Sequence, residues 1–211
     1  MPSAVTGPPE TPATDIYVGI DPGSTNCALV AWSPTKGLIS FWKPKGKMPT
    51  GVERLYRLRL GITSQLIAIQ KAGRIAGIAM EAYSMAEQYG QHASGEVGGV
   101  IKLTVLLHFG ATTVGYPVLV APQQLKKFAT GNGNSKKELI TKEVLKRWGE
   151  DFNDSNVAEA YVLARMAHAV DTRPEMPLFQ TEVVDKLQGR TERLIDIPRR
   201  RLVRVGGRGA A

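Results

Sequence analysis

The sequence predicts an α/β fold: a five-stranded mixed sheet, three antiparallel strands followed by parallel ones, flanked by helices. Three observations predict it. The stretch IYVGIDPGSTNCALVAW, Ile16 to Trp32, alternates β-branched and aromatic residues, turns over Pro-Gly-Ser-Thr and resumes as an apolar run. A third run follows through SPTKG, and short alternating runs joined by turn residues indicate a hairpin meander. Beyond it, helical periodicity alternates with short apolar runs, as in crossovers between parallel strands.

The elements follow in order. Strands are expected at 16–21, 27–33 and 38–43. In GVERLYRLRLGITSQLIAIQKAG, Val52, Leu55, Tyr56, Arg59, Ile62, Thr63 and Leu66 fall at three-and-four spacing, a helix with one apolar stripe that Gly73 ends. RIAGIAME, 74–81, reads as a buried strand closing on Glu81. A second helix is expected over roughly 95–110, and PVLVAP as a further buried strand. NSKKELITKEVLKRWG begins with Asn134 or Ser135 as N-cap, with Glu138 at the capping-box spacing from Ser135. DSNVAEAYVLARMAHAV is the last long helix, with Asp154 or Ser155 at its cap. Residues 1–14, rich in Pro, Thr and Ser, read as a disordered leader, 15–170 as the folded domain, and 171–211 as a basic, flexible tail whose end carries five arginines.

Composition narrows the function classes. The chain has 211 residues, 43% hydrophobic, enough for one well-packed domain. A formal charge of +8 favours a polyanionic partner, of which nucleic acid is the commonest. A single cysteine, Cys27, excludes an intrachain disulfide and a thiolate zinc site, and suits a small core residue. His92, His108 and His168 form no ligand motif. No run of about 20 apolar residues and no signal-peptide pattern is present, so a reducing, cytoplasmic setting is expected and no membrane partner.

The acids carry the chemistry. Asp21 ends the first strand among apolar neighbours, Glu81 ends the fourth, and Asp151, Asp154 and Glu159 cluster at the start of the last helix. An ionised carboxylate at a sheet rim is costly to desolvate without a partner. Carboxylates converging from distant parts of the chain suit hard divalent cations, and two such ions activate water and stabilise a leaving oxygen in phosphodiester cleavage. Each acid also has a structural reading: Asp21 folding a turn with Pro22-Gly23, Glu81 pairing with a lysine, Asp154 capping a helix.

GIDPGSTN, IAMEAYS, GNGNSKKELI and NVAEAYVLA, in this order and at these intervals, resemble the RuvC family of Holliday-junction resolvases, members of the ribonuclease H-like nuclease superfamily, over roughly residues 16–170. The resemblance implies a crossover junction endodeoxyribonuclease, a homodimer that cuts branched DNA with two Mg²⁺ per active site, Mn²⁺ being a plausible substitute. It implies that Asp21, Glu81 and Glu159 are catalytic metal ligands. The fourth acid of the family pattern falls on Asn156, whose amide brings no charge; Asp154, two residues earlier, is therefore expected as the fourth catalytic ligand, with Asn156 in reserve. Lys126 and Lys137, on either side of Gly131 and Gly133, match basic residues that hold DNA phosphates. An aromatic is often found three residues after the strand-end acid; Ser84 stands there, and Tyr83 or Tyr89 would stack on a base instead. GEVGGVIKL, with Gly98 and Gly99, resembles the family's dimer helix. These departures fit a phage-type member.

Two other readings share these residues. IDPGSTN also resembles the first phosphate loop of actin-like and sugar-kinase ATPases, which require a second Gly-rich loop that the chain lacks. A non-catalytic branched-DNA-binding module of the same fold is the other, with Asn156 as its support.

Overall fold

The computed structural model describes residues 14–23, 26–82, 91–110, 112 and 114–195, with the backbone alone at 91–94 and 189–195. Three strands open it, β1 (Asp15–Asp21), β2 (Ala28–Ser33) and β3 (Gly37–Trp42), followed by α1 (Gly51–Ala72), β4 (Arg74–Glu81), α2 (Gln91–Phe109), β5 (Val118–Val120), α3 (Pro122–Thr130), α4 (Lys137–Trp148), α5 (Ser155–Thr172) and α6 (Leu178–Ile195). The sheet order is β3-β2-β1-β4-β5. β1 pairs antiparallel with β2, and β2 with β3, while β4 lies parallel to β1 and to β5. The expected mixed sheet is present.

Side-chain alternation along β1 sorts two cores. Ile16, Val18 and Ile20 join Leu58, Ile62, Leu66, Val97 and Ile101 of α1 and α2 on one face. Tyr17, with Ala28, Val30 and Ala79, faces α3, α4, α5 and α6 on the other. Cys27 is buried in the α1 face, as its place in the apolar run suggested.

α5 lies hard against the second face. A Cβ at Gly19 would stand 1.9 Å from the Ala160 carbonyl oxygen and 2.4 Å from the Ala164 nitrogen. Only the bare backbone of β1 admits the helix at that distance. α5 matches it with alanines at 158, 160, 164 and 167, all buried. The alternating strand therefore carries a glycine where a side chain would hold the helix off.

Several local expectations are corrected. α1 buries Ile62 and Leu66 as expected, but its first half turns Arg54 and Leu58 inward in place of Val52, Tyr56 and Arg59, and Ile69 extends the stripe. Val52 and Tyr56 are exposed. Lys136, not Asn134 or Ser135, occupies the N-cap of α4, with no side-chain cap. Ser135 is buried instead, its hydroxyl 2.8 Å from Thr130 Oγ1. Helix α3 follows directly from β5; its nine residues are too few to build a long periodic signal. Within the segment read as tail, α6 folds and buries Val183, Val184 and Leu187, and Gln180 Nε2 donates to the Phe128 carbonyl at 2.9 Å. Of the expected leader 1–14, Thr14 is ordered against the sheet, its carbonyl accepting from the Arg74 amide at 2.9 Å; residues 1–13 and the arginine-rich end lie outside the described residues.

Gly19→Ala is expected to destabilise the fold by about 3 kcal/mol or more, since backbone on both sides resists the extra carbon. Chemical denaturation measures it. A variant as stable as the wild type would show that α5 has room to withdraw.

Candidate active site

The parallel register of β1 and β4 brings two acids side by side. Ile20 is paired with Met80, so Asp21 and Glu81 end neighbouring strands one residue further on. Both follow the alternation of Tyr17-Gly19 and Ala79, and so belong to the α5 face. The close approach of α5 at Gly19 then sets Glu159, one residue before Ala160, at the same rim. Asp21 is 5% and Glu159 7% exposed.

Electrostatics shows the three acids acting on one another. Burial first, then the Glu159 charge, push the Asp21 carboxyl up to about 7, against opposing help from Lys137 and the Gly23 backbone. Glu81 is pushed up to about 8 by burial, then by Asp21 and Glu159. Glu159 is also raised, by burial, although its bond to Lys137 opposes the shift. Like charges held together in a desolvated place resist ionising together. Perturbed carboxyls of this kind cluster at functional sites.

Lys137 tempers the repulsion. Its ammonium donates to Glu159 Oε2 at 2.5 Å and to Asn156 Oδ1 at 2.8 Å. Lys126, on α3, acts on Glu81 and Glu159 through its charge. Between these lysines, α3 ends on Gly131 at φ 85°, a left-handed turn that a glycine adopts freely. The Thr130 hydroxyl ties the loop, donating to the Lys126 carbonyl at 2.8 Å and accepting from the Asn132 amide at 3.1 Å. The loop thus brings the two lysines to the acids from separate helices.

Asp154 is engaged elsewhere. Its Oδ1 accepts from the amides of Asn156 at 2.9 Å and Val157 at 3.3 Å, capping α5, while its Oδ2 accepts from Lys43. Partial burial works against ionisation, but the Lys43 bond and the two amides outweigh it and hold the carboxyl below its usual range. The structural reading of Asp154 as a cap is therefore realised. Asn156, not Asp154, shares the Lys137 ammonium with Glu159. Asp151 is exposed, and Tyr83 and Tyr89 lie outside the described residues. Sequence reasoning missed Lys43, which lies 111 residues from its partner. It also missed Gly19, for which a glycine inside an apolar strand was the available signal.

Among the described residues, no three carboxylate, imidazole or thiol groups stand ready as a cage for a metal ion. The donors nonetheless fit a hard divalent cation in kind: all are oxygens, from Asp21, Glu81, Glu159 and Asn156, and the three carboxyls, when ionised, outnumber the one cation bonded among them, Lys137.

Comparison with solved structures places this architecture. Thermus thermophilus RuvC is 22% identical, with a TM-score of 0.55, the match covering 71% of this chain and 90% of that one. The fold is RuvC-like. T. thermophilus RuvC in complex with a Holliday junction substrate matches at 21% identity and a TM-score of 0.55, over 72% of this chain and 90% of that one. No protein-family model matches the chain, and no curated protein matches it. In this RuvC-like fold the acids gather at the C-terminal ends of the central strands, where α/β sheets commonly bind ligands. No helix among the described residues is long and apolar enough to cross a membrane.

Because burial raises the Asp21 and Glu81 carboxyls, the folded chain holds protons that the unfolded chain releases near pH 4. The contribution of these two carboxyls to stability without metal is thus expected to be greatest below about pH 4 and to be lost as pH rises through about 7 to 8. Asp21→Asn removes one buried charge and is expected to stabilise the metal-free protein by about 1–3 kcal/mol at pH 8, with a smaller gain at pH 5. Thermal denaturation at the two pH values checks this. An equal effect at both would mean that Asp21 carries no desolvation cost.

Proposed function

We propose that the chain is a metal-dependent endodeoxyribonuclease that resolves Holliday junctions and related branched DNA by paired phosphodiester cleavage. The observation that carries this reading is the meeting of Asp21, Glu81 and Glu159 at one buried rim, flanked by Lys126 and Lys137, in a chain of charge +8. Negative charge gathered inside a basic molecule makes sense where a cation and a polyanion come together. The neighbour bound to a Holliday junction supports the substrate class.

In this reading Asp21, Glu81 and Glu159 hold Mg²⁺, with the Asn156 amide oxygen as a neutral fourth ligand. Asp154 serves from behind by fixing the start of α5, which carries both Asn156 and Glu159. Paired magnesium ions, when bound, supply activation of a water and stabilisation of the departing 3′-oxygen. Lys126 and Lys137 hold the flanking phosphates, and the loop between them sets their separation. A branched-DNA-binding module without catalysis keeps the Asn156 amide in its favour, and the same assay separates the two.

Asp21→Asn is expected to bind a synthetic four-way junction as the wild type does and to cut it at least about 100-fold more slowly in Mg²⁺. Gel-shift and single-turnover cleavage, with linear duplex as control, measure both. Normal cutting by the variant would remove Asp21 from the chemistry. Wild-type protein that binds junctions and never cuts them, in Mg²⁺ or Mn²⁺, would favour the binding module.

A four-way junction has approximate two-fold symmetry, which a homodimer with two sites would match. α2 offers an unpartnered stripe. Gly95 and Gly99 have open space where a Cβ would project, and Leu103 and Leu107 continue at the same four-residue spacing, 54% and 64% exposed. Gly98 faces inward, so Gly99 is the glycine available to a partner helix. Leu103→Glu with Leu107→Glu is expected to raise the dimer dissociation constant at least about 100-fold, read by sedimentation. A wild type that sediments as a monomer at every concentration would exclude the dimer.

A further inference from the structure

Lys137 has a place that a DNA-contacting lysine alone does not require. It opens α4 with its side chain 42% exposed, yet its ammonium is turned to the acids. There it donates to Glu159 Oε2 at 2.5 Å and to Asn156 Oδ1 at 2.8 Å. Its charge also acts on Asp21 and Glu81. One monovalent cation is thus bonded to two of the oxygens that the proposed function gives to metal. Lys126 also acts on Glu81 and Glu159, but through its charge alone. Lys43 is bonded to Asp154, and Lys126 makes no ion pair with the acids among the described residues.

We propose that Lys137 is the counter-ion of the metal-free site, that a divalent cation displaces it from Glu159 and Asn156, and that the freed ammonium moves to a DNA phosphate. The inference rests on the metal-dependent reading above. A divalent ion brings twice the charge to the same oxygens and repels an ammonium held against them. The lysine stem has the length and solvent access to swing outward, while the loop behind it stays tied through Thr130 and Ser135. Lys137 is then a positioning residue that orders events, with metal entering first and the backbone contact following. Metal binding and DNA binding become coupled through one side chain, and such coupling is reciprocal.

The test uses the full chain and the variants Lys137→Met, Lys137→Gln and Lys137→Arg. Mn²⁺ is titrated without DNA, by calorimetry and electron paramagnetic resonance. Lys137→Met and Lys137→Gln, freed of the competing ammonium, are expected to bind Mn²⁺ about tenfold more tightly than wild type, and Lys137→Arg close to it. The two neutral variants are also expected to melt at lower temperature without metal and to recover with Mn²⁺. Junction affinity is then measured against salt, with and without Ca²⁺ as the probe ion. The wild-type slope of log K against log salt is expected to steepen on adding Ca²⁺ by about 0.9 more than in the neutral variants, the increment of one phosphate contact.

Unchanged or weaker Mn²⁺ binding by both neutral variants would overturn the proposal, as would an equal Ca²⁺ effect on the salt slope in every protein. Those results leave the nuclease reading standing. If neither wild type nor variants bind Mn²⁺, the metal-dependent reading falls and takes this inference with it.

Discussion

The molecule is organised by the contact of α5 with β1 at Gly19. Backbone meets backbone there, because neither the glycine nor the facing alanines of α5 hold the two elements apart. A helix brought this close to the middle of the sheet has most of its surface buried, and α5 is buried continuously from Val157 to Ala164. The same proximity makes Glu159 a neighbour of Asp21 rather than a solvated residue on the helix flank. Packing and chemistry therefore share one constraint: the tightest contact in the core fixes the distance between acids from opposite ends of the chain.

That arrangement carries an electrostatic cost. Three carboxylates at one buried rim resist ionising together, and burial adds to the effect. The fold offsets part of it with Lys137, delivered by the first turn of α4, and with Lys126 further out. Asp154 lies apart from this conflict, satisfied by two helix-start amides and by Lys43. Residues that resemble one another in sequence, Asp154 and Glu159, thus have opposite electrostatic fates. One is held below its usual range by Lys43 and two amides, and the other is raised by burial although Lys137 is bonded to it.

Lys43 connects the site to the far edge of the sheet. It follows β3, the edge strand, and reaches the cap of α5, so the start of that helix is held from two sides. α3 and α4 complete the frame by presenting lysines across a short loop whose hydroxyl and amide bonds leave little freedom. Three elements bordering the acids thus bring charge to them: the chain after β3 through Lys43, α3 through Lys126 and α4 through Lys137.

The amino-acid sequence alone determined the strands, the mixed sheet and the acids at the ends of β1 and β4. Those features rest on local alternation and turn chemistry that a short stretch carries by itself. Asp154 as a helix cap was legible for the same reason, its partners being the amides two and three residues on, those of Asn156 and Val157. What lay beyond one turn was less legible. The inner face of α1 turned out to hold Arg54 and to expose Val52 and Tyr56, because the neighbouring α2, not apolarity alone, decides which residues are covered. Ser135 had the spacing of a cap and went to Thr130 instead. α6 carried too few apolar residues to announce itself, and became a helix packed against α3 and α5. Only the tertiary structure decided that Lys137 would face Glu159 and Asn156, and that Lys43 would claim Asp154. Charge pairing across 19, 22 or 111 residues depends on where packing brings the backbone, and local sequence holds no record of that distance.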